Sequence, residues 1–327
     1  GHVGPGDRRR QPAGAARARR GRDGCVAAMT SRGSLRTRAY VAGAAVLLLA
    51  ISACGGAPEA EPSPTTSASA PSTSAEPSPS DVPSSSSPTV AKPGSVPPPW
   101  LGTRVLKEDA EGYGIAGPTP KELRNRAWTL PDIMPMLPGD GFAAEVDIAP
   151  DDVIARSTWV PGCPVSRREL AWVRMTFWGF DGARHTGEML INARVAEDVV
   201  GVFRRLYEAR FPIEQMDITT KAALDAPPTG DGNGTGGFVC RPSVGQTSFS
   251  QHAYGLAIDL NTFQNPYVKG DRVIPELARW YLDRSRRAPG MIHDGDVVVQ
   301  AFADIGWEWG GDWSSLKDYQ HFSENGT

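Results

Sequence analysis

Ser250-Gln251-His252-Ala253-Tyr254-Gly255-Leu256-Ala257-Ile258-Asp259 is the stretch from which the rest of the chain is read. A His and an Asp stand seven residues apart, with Gly255 and Ala257 between them. Glycine permits a tight turn, and the apolar run Gly255–Asn261 predicts a buried strand. A turn that feeds a strand carries Asp259 back beside His252. Neutral imidazole and carboxylate are both good Zn²⁺ ligands. Two ligands hold the ion poorly, so a third is expected elsewhere.

Working outward, it is found in Trp307-Glu308-Trp309-Gly310-Gly311-Asp312-Trp313 and Asp318-Tyr319-Gln320-His321-Phe322. His321 supplies a second imidazole. Two His and one Asp leave the fourth zinc position open, the pattern of a catalytic rather than a structural site. A water activated there has its pKa lowered to about 7. Asp318 is expected to take its proton during attack on a carbonyl and pass it to the leaving amine, as a general base. Residues three apart in a regular strand face opposite sides, so Asp318 and His321 can serve one metal only across an irregular turn at Tyr319-Gln320. Ser250 beside His252 and Asp259 mimics a serine-hydrolase set, but an imidazole on zinc cannot also act as base.

SxHxxGxAxD followed far downstream by WxWGGxW and DxxHF resembles the D-alanyl-D-alanine carboxypeptidase (VanY-type) metallopeptidases, a group that includes L-alanyl-D-glutamate endopeptidases. GCPV (Gly162–Val165), GFDG with HTGE (Gly179–Glu188) and RFPI (Arg210–Ile213) look like actinobacterial members. The resemblance covers about residues 150–325 and implies an α+β fold shared with the hedgehog signalling domain. It implies zinc held by His252, Asp259 and His321, an acidic catalytic residue at Asp318, and peptidoglycan stem peptides as substrate. Arg241, in Val239-Cys240-Arg241-Pro242, matches a substrate-facing Arg of the family, and Ser250 goes with it on the substrate side. Thr262 stands where the actinobacterial members have Pro after Asp-x-Asn, a difference that touches a turn and no ligand.

The remaining pattern predicts an α+β fold, an antiparallel sheet with flanking helices. Leu170–Phe177 and Glu188–Ala193 read as paired strands about a turn at Gly179-Phe180-Asp181-Gly182. Val195, Val199, Val202, Phe203 and Leu206 repeat at helical spacing across Val195–Ala209. Glu214–Thr219 reads as a strand, Ile274–Arg286 and Asp296–Ile305 as helices, and residues 225–237 as a mobile loop. Cys163 and Cys240 follow the signal region as an even pair, which in an exported protein reads as a disulfide, with metal binding the weaker alternative. His185 reads as a structural hydrogen-bonding residue, with lining of the cleft the alternative, and His293 as solvated. Trp307 and Trp309 read as packing, Trp313 as a candidate border of the cleft, and Glu308 and Asp312 as surface charges.

Residues 1–54 carry ten Arg and two Asp, a formal charge of +8, while the whole chain stands at −3. The remainder is therefore acidic at −11, which argues against a nucleic-acid binder. After Met29, three Arg and the apolar run Val41–Ile51 read as a secretory signal. Ile51-Ser52-Ala53-Cys54 resembles a lipobox, which implies lipidation of Cys54 and a membrane anchor. Residues 57–99 hold 12 Pro among Ser, Thr and Ala and cannot build a core. The expected organisation is an upstream segment and signal over 1–54, a tether over 55–99, an extended lead-in with one short helix near Lys121–Arg126 over 100–149, and a zinc peptidase domain over 150–327. Such a protein would sit outside the cytoplasm, anchored to the membrane and reaching into the wall, with no particular protein partner expected. The competing reading is a non-catalytic wall-binding or signalling domain that keeps zinc for structure. The scissile bond, D-Ala-D-Ala or L-Ala-D-Glu, stays open.

Overall fold

The computed structural model describes residues 96–128 and 130–326. Cys54, the signal region and residues 55–95 of the tether lie outside the described residues.

Strand β1 (Ala144–Ile148) precedes helix α1 (Asp151–Arg156), and β2 (Leu170–Trp178) and β3 (Arg184–Asn192) come next, forming an antiparallel sheet of order β1-β2-β3. Along β2 the period of two turns Ala171, Val173, Met175 and Phe177 into one buried cluster. Helix α2 (Ala196–Glu208) lays Val199, Val202, Phe203 and Leu206 against that face, as their spacing predicts. A single-turn helix α3 (Lys221–Leu224) is capped by Thr220, whose hydroxyl accepts the Ala223 N–H. Beyond it the elements shorten: β4 (Ala257–Asp259), β5 (Tyr267–Lys269), β6 (Arg272–Ile274), α4 (Val297–Asp304), β7 (Glu308–Trp309), β8 (Lys317–Asp318) and β9 (His321–Ser323). These strands form two antiparallel sheets, β4-β9-β7 and β6-β5-β8. The Asp296 carboxylate caps α4 by accepting the Val298 and Val299 N–H groups, and Phe302 stacks on Phe322 with centroids 4.1 Å apart. The mixture of helices and small antiparallel sheets is α+β, as expected.

Three local expectations are corrected. Ile274–Arg286 is not a helix. Ile274 ends β6 and only Arg279–Leu282 makes a 3-10 turn. Thr119 intervenes there: its hydroxyl donates to the Leu277 carbonyl and accepts the Trp280 N–H, occupying backbone groups a helix would pair internally. The buried residues Leu277, Ala278 and Tyr281 gave the segment its helical spacing, yet they reach the core from a turn.

Glu214–Thr219 is not a strand. Its backbone bonds are divided, with the Met216 carbonyl accepting from Glu188 while Gln215 and Asp217 pair with Thr235. Residues 225–237 are not a free loop over their second half: Asp231, Asn233 and Thr235 are buried, and Gly236 exchanges both backbone bonds with Asp259.

Residues 100–149 pack closely against later segments of the chain. Leu123 and Trp128 join Phe263 and Tyr281 in a buried cluster. The Arg126 guanidinium forks onto Glu214, with Nε to Oε2 at 2.8 Å and Nη2 to Oε1 at 2.5 Å, both side chains buried. Cys163 and Cys240 are joined in a disulfide, Cα atoms 6.0 Å apart.

Candidate metal centre

Each residue of the Ser250–Asp259 stretch has a local reason for its place. Ser250 caps a short 3-10 turn over Gln251–Tyr254, its hydroxyl accepting the His252 N–H. Gly255 ends the turn at φ +65°, and a Cβ there would lie 2.6 Å from the Asn192 amide nitrogen. Only glycine suits both demands. The chain then enters β4 and delivers Asp259 as its last residue. In β9, His321 is the register partner of Asp259, so the two side chains share one face.

The three candidate ligands close on one another. His252 Nε2 lies 3.2 Å from Asp259 Oδ1 and 3.2 Å from His321 Nδ1, and His321 Nδ1 lies 3.1 Å from Asp259 Oδ1. His252 Nδ1 is 2.7 Å from the Gly237 carbonyl oxygen, which can only accept. Nδ1 therefore carries the proton and Nε2 presents a lone pair. Ligands about 2.0–2.1 Å from a tetrahedral zinc stand roughly 3.3–3.4 Å from one another. His252 Nε2, Asp259 Oδ1 and His321 Nδ1, at 3.1–3.2 Å from one another, are thus spaced as ligands of such an ion would be. Among the described residues no other His, Cys, Asp and Glu group of three or more has this character.

Burial by itself would raise the Asp259 carboxyl, but the adjacent His252 and His321 outweigh it and hold the group below the usual carboxylate range. Asp318 behaves in the opposite way. Burial pushes it up to about 6, against the pull of His321 and with the help of the Asp259 charge. It is half-buried, ends β8, and lines the same cavity of about 970 Å³ as His252, Asp259 and His321. The turn at Tyr319-Gln320 separates it from His321, as the alternation of strand faces requires.

Sequence reasoning misses the positioning roles of Gln320, of Gly310 and of Trp309, which it reads only as packing. Gln320 Nε2 donates to Asp318 Oδ1 at 3.0 Å, and Trp309 Nε1 donates to the Tyr319 carbonyl at 2.9 Å, bracing that turn. A Cβ on Gly310 would lie 2.6 Å from the Asp318 carbonyl oxygen, so the Gly-Gly step lets β8 approach. Gln320 and Trp309 stand inside the WxWGGxW and DxxHF motifs and were legible only as neighbours of the chemistry.

The other expected residues are spread between the cavity wall, the core and the surface. Arg241 is half-buried and lines the cavity. Its Nη1 donates to the Pro242 carbonyl at 3.1 Å, and no ion pair joins it to a described carboxylate. Ser250 is buried on the cavity wall. Trp307 and Trp309 are core, while Trp313 borders the cavity with its ring 5.4 Å from His321. Glu308 and Asp312 are exposed, Asp312 at the cavity edge. His185 is a structural hydrogen-bonding residue, with Nδ1 2.8 Å from Asp132 and Nε2 3.1 Å from Asp181. His293 is not solvated. It is half-buried against Arg287, and burial with the Arg284 and Arg287 charges pushes it down to about 4.

A family model described as D-alanyl-D-alanine carboxypeptidase matches residues 244–324. The matched segment contains Ser250, His252, Asp259, Asp318 and His321, and supports the resemblance drawn from their motifs. Arg241, Cys163 and Cys240 lie before it. No solved structure matches the chain.

Proposed function

We propose that this chain is a zinc-dependent peptidase that hydrolyses peptidoglycan stem peptides, as a D-Ala-D-Ala carboxypeptidase or an L-Ala-D-Glu endopeptidase. The observation that carries the reading is the triangle of His252 Nε2, Asp259 Oδ1 and His321 Nδ1, with Asp318 in the same cavity. Zinc bound there would polarise a carbonyl and acidify a water. The chain's own residues do the rest. Asp318, oriented by Gln320, accepts the proton of the attacking water and returns it to the leaving amine nitrogen. Among the described residues Arg241 is the single Arg or Lys lining the cavity, so it is the group to pair with a substrate carboxylate. Ser250, on the same wall, offers its hydroxyl hydrogen to the peptide backbone.

A pure binding domain would have no use for a carboxylate whose pKa is raised beside the metal ligands. Lipidation of Cys54, a position outside the cytoplasm with the domain reaching into the wall, kinship with actinobacterial members, and the hedgehog-type fold belong to the same proposal. They rest on the lipobox resemblance, the Pro/Ser-rich tether and the motifs. The test is digestion of purified peptidoglycan by the zinc-loaded chain, followed by mass spectrometry of the muropeptides. Loss of one terminal D-Ala marks the carboxypeptidase, and freed stem peptide starting at D-Glu marks the endopeptidase. Unaltered muropeptides would refute the peptidase reading.

A further inference from the structure

We infer that Tyr267 is a second hydrogen-bonding catalytic residue of this site, its hydroxyl donating to the oxygen of the scissile carbonyl. The inference rests on the peptidase reading and adds a residue to it. Tyr267 is the first residue of β5, and Asp318, the last of β8, is its register partner. Directly opposed residues project to the same face of a sheet, and both side chains line the cavity that holds His252, Asp259 and His321. Tyr267 is 7% exposed, so its ring is held in place while its edge meets the cavity.

The hydroxyl has no hydrogen-bond partner among the described residues and is not closed off from solvent, so the cavity that Tyr267 lines reaches it. Tyr281 shows the ordinary case: its hydroxyl accepts the Arg126 N–H at 2.9 Å and donates to the Leu123 carbonyl. Asp318 already has its donor in Gln320, so Tyr267 is not required to orient the base. What remains for a fixed, unpaired O–H on the base's side of the cavity is the substrate.

The chemistry suits a donor that keeps its proton. When the water oxygen bonds to the carbonyl carbon, the C=O electron pair moves onto oxygen and negative charge develops there. A pre-placed O–H stabilises that charge more than it stabilises the ground state. When the C–N bond breaks, the pair returns to the carbonyl and the amine leaves with the proton held by Asp318. An ordinary phenol is protonated at neutral pH. Burial, then the Asp318 charge, raises Tyr267 further.

Tyr267→Phe keeps the ring and removes no hydrogen bond to a described residue, so the fold should stand. In the full zinc-loaded chain, kcat should fall by about 10²–10³, the usual cost of one such donor, with KM little changed. Zinc content and melting temperature should match wild type. Calorimetric affinity for a phosphinate analogue of the stem peptide, whose anionic oxygen imitates the developing charge, should fall alongside kcat. If wild type cleaves peptide and Tyr267→Phe retains both its kcat and its analogue affinity, the role of Tyr267 is overturned and the peptidase reading survives. If wild type releases no peptide, the peptidase reading fails and the role of Tyr267 fails with it.

Discussion

The two halves of the described chain are built by different rules. Strands β2 and β3 run nine residues each and pair along their whole length, and α2 covers them with a clean apolar stripe. From β4 onward no strand exceeds three residues. The regular half carries none of the proposed ligands, and the irregular half carries all of them. Buried charge differs in the same way. In the sheet, Glu188 is fully answered: Arg156 meets both its oxygens at 2.5 Å and Trp172 donates at 2.6 Å. At the candidate metal centre, His252 Nε2, Asp259 Oδ1 and His321 Nδ1 lie within 3.2 Å of one another, a grouping that could hold a cation.

The comparison shows what short strands are for. Asp259 ends β4, Asp318 ends β8, His321 begins β9 and Tyr267 begins β5. A long strand would send neighbouring residues to alternate faces. Stopping at each of these residues and turning frees the chain to aim side chains from separate segments at one cavity.

On this division of labour, changes in the irregular half should alter chemistry and changes in the regular half should alter stability. The largest effect belongs to His252→Ala, which should lose stoichiometric zinc in elemental analysis and abolish peptide release. Full zinc retention would remove the ligand set. Next, Asp318→Asn should lower kcat by about 10²–10⁴ while zinc and melting temperature persist. Near wild-type turnover would move the base elsewhere, with Glu308 the first alternative.

The disulfide joins the halves, so Cys163→Ser with Cys240→Ser should cost about 2–5 kcal/mol in denaturant unfolding. Activity should also drop, because Cys240 holds the segment that carries Arg241. Two free thiols in native protein would contradict the bridge. The smallest effect is confined to the regular half. Burial opposes charge on His185, but Asp132 and Asp181 prevail and raise its pKa. Its contribution to stability is therefore complete below the unfolded imidazole value of about 6.5 and is lost as pH rises through the raised folded value. His185→Gln should flatten that part of the stability–pH curve and leave zinc content alone. An unchanged slope would show that His185 is not its source.

Legibility divided along the same line. Helix α2 could be read because Val199, Val202, Phe203 and Leu206 repeat with the period of a helix. The expected strand Glu188–Ala193 is shorter than β3, because Arg184, His185, Thr186 and Gly187 lack an apolar run and what they meet, Asp132 at His185 and Met216 at Gly187, lies far away in sequence. Ile274–Arg286 misled because Thr119, over 150 residues upstream, takes the backbone groups that a helix would use. In the irregular half periodicity says little, and residue chemistry says more: His252, Asp259 and His321 could be named before any strand that places them. Gln320, Trp309 and the Gly237 carbonyl could not, because nothing in their identity announces what they hold.

Asp259 and His321 are partners across the β4–β9 ladder as well as proposed ligands of one ion. Binding the ion and closing the ladder are therefore one equilibrium. A site filled at a hundred times its dissociation constant adds about 2.7 kcal/mol to the folded state. Withdrawing the ion removes that stabilisation from the β4–β9 seam and from the turn that connects it with Asp318. A chelator would then act twice, removing the Lewis acid and loosening the base. Readdition would restore both together, so recovery of activity and recovery of thermal resistance should trace a single titration curve.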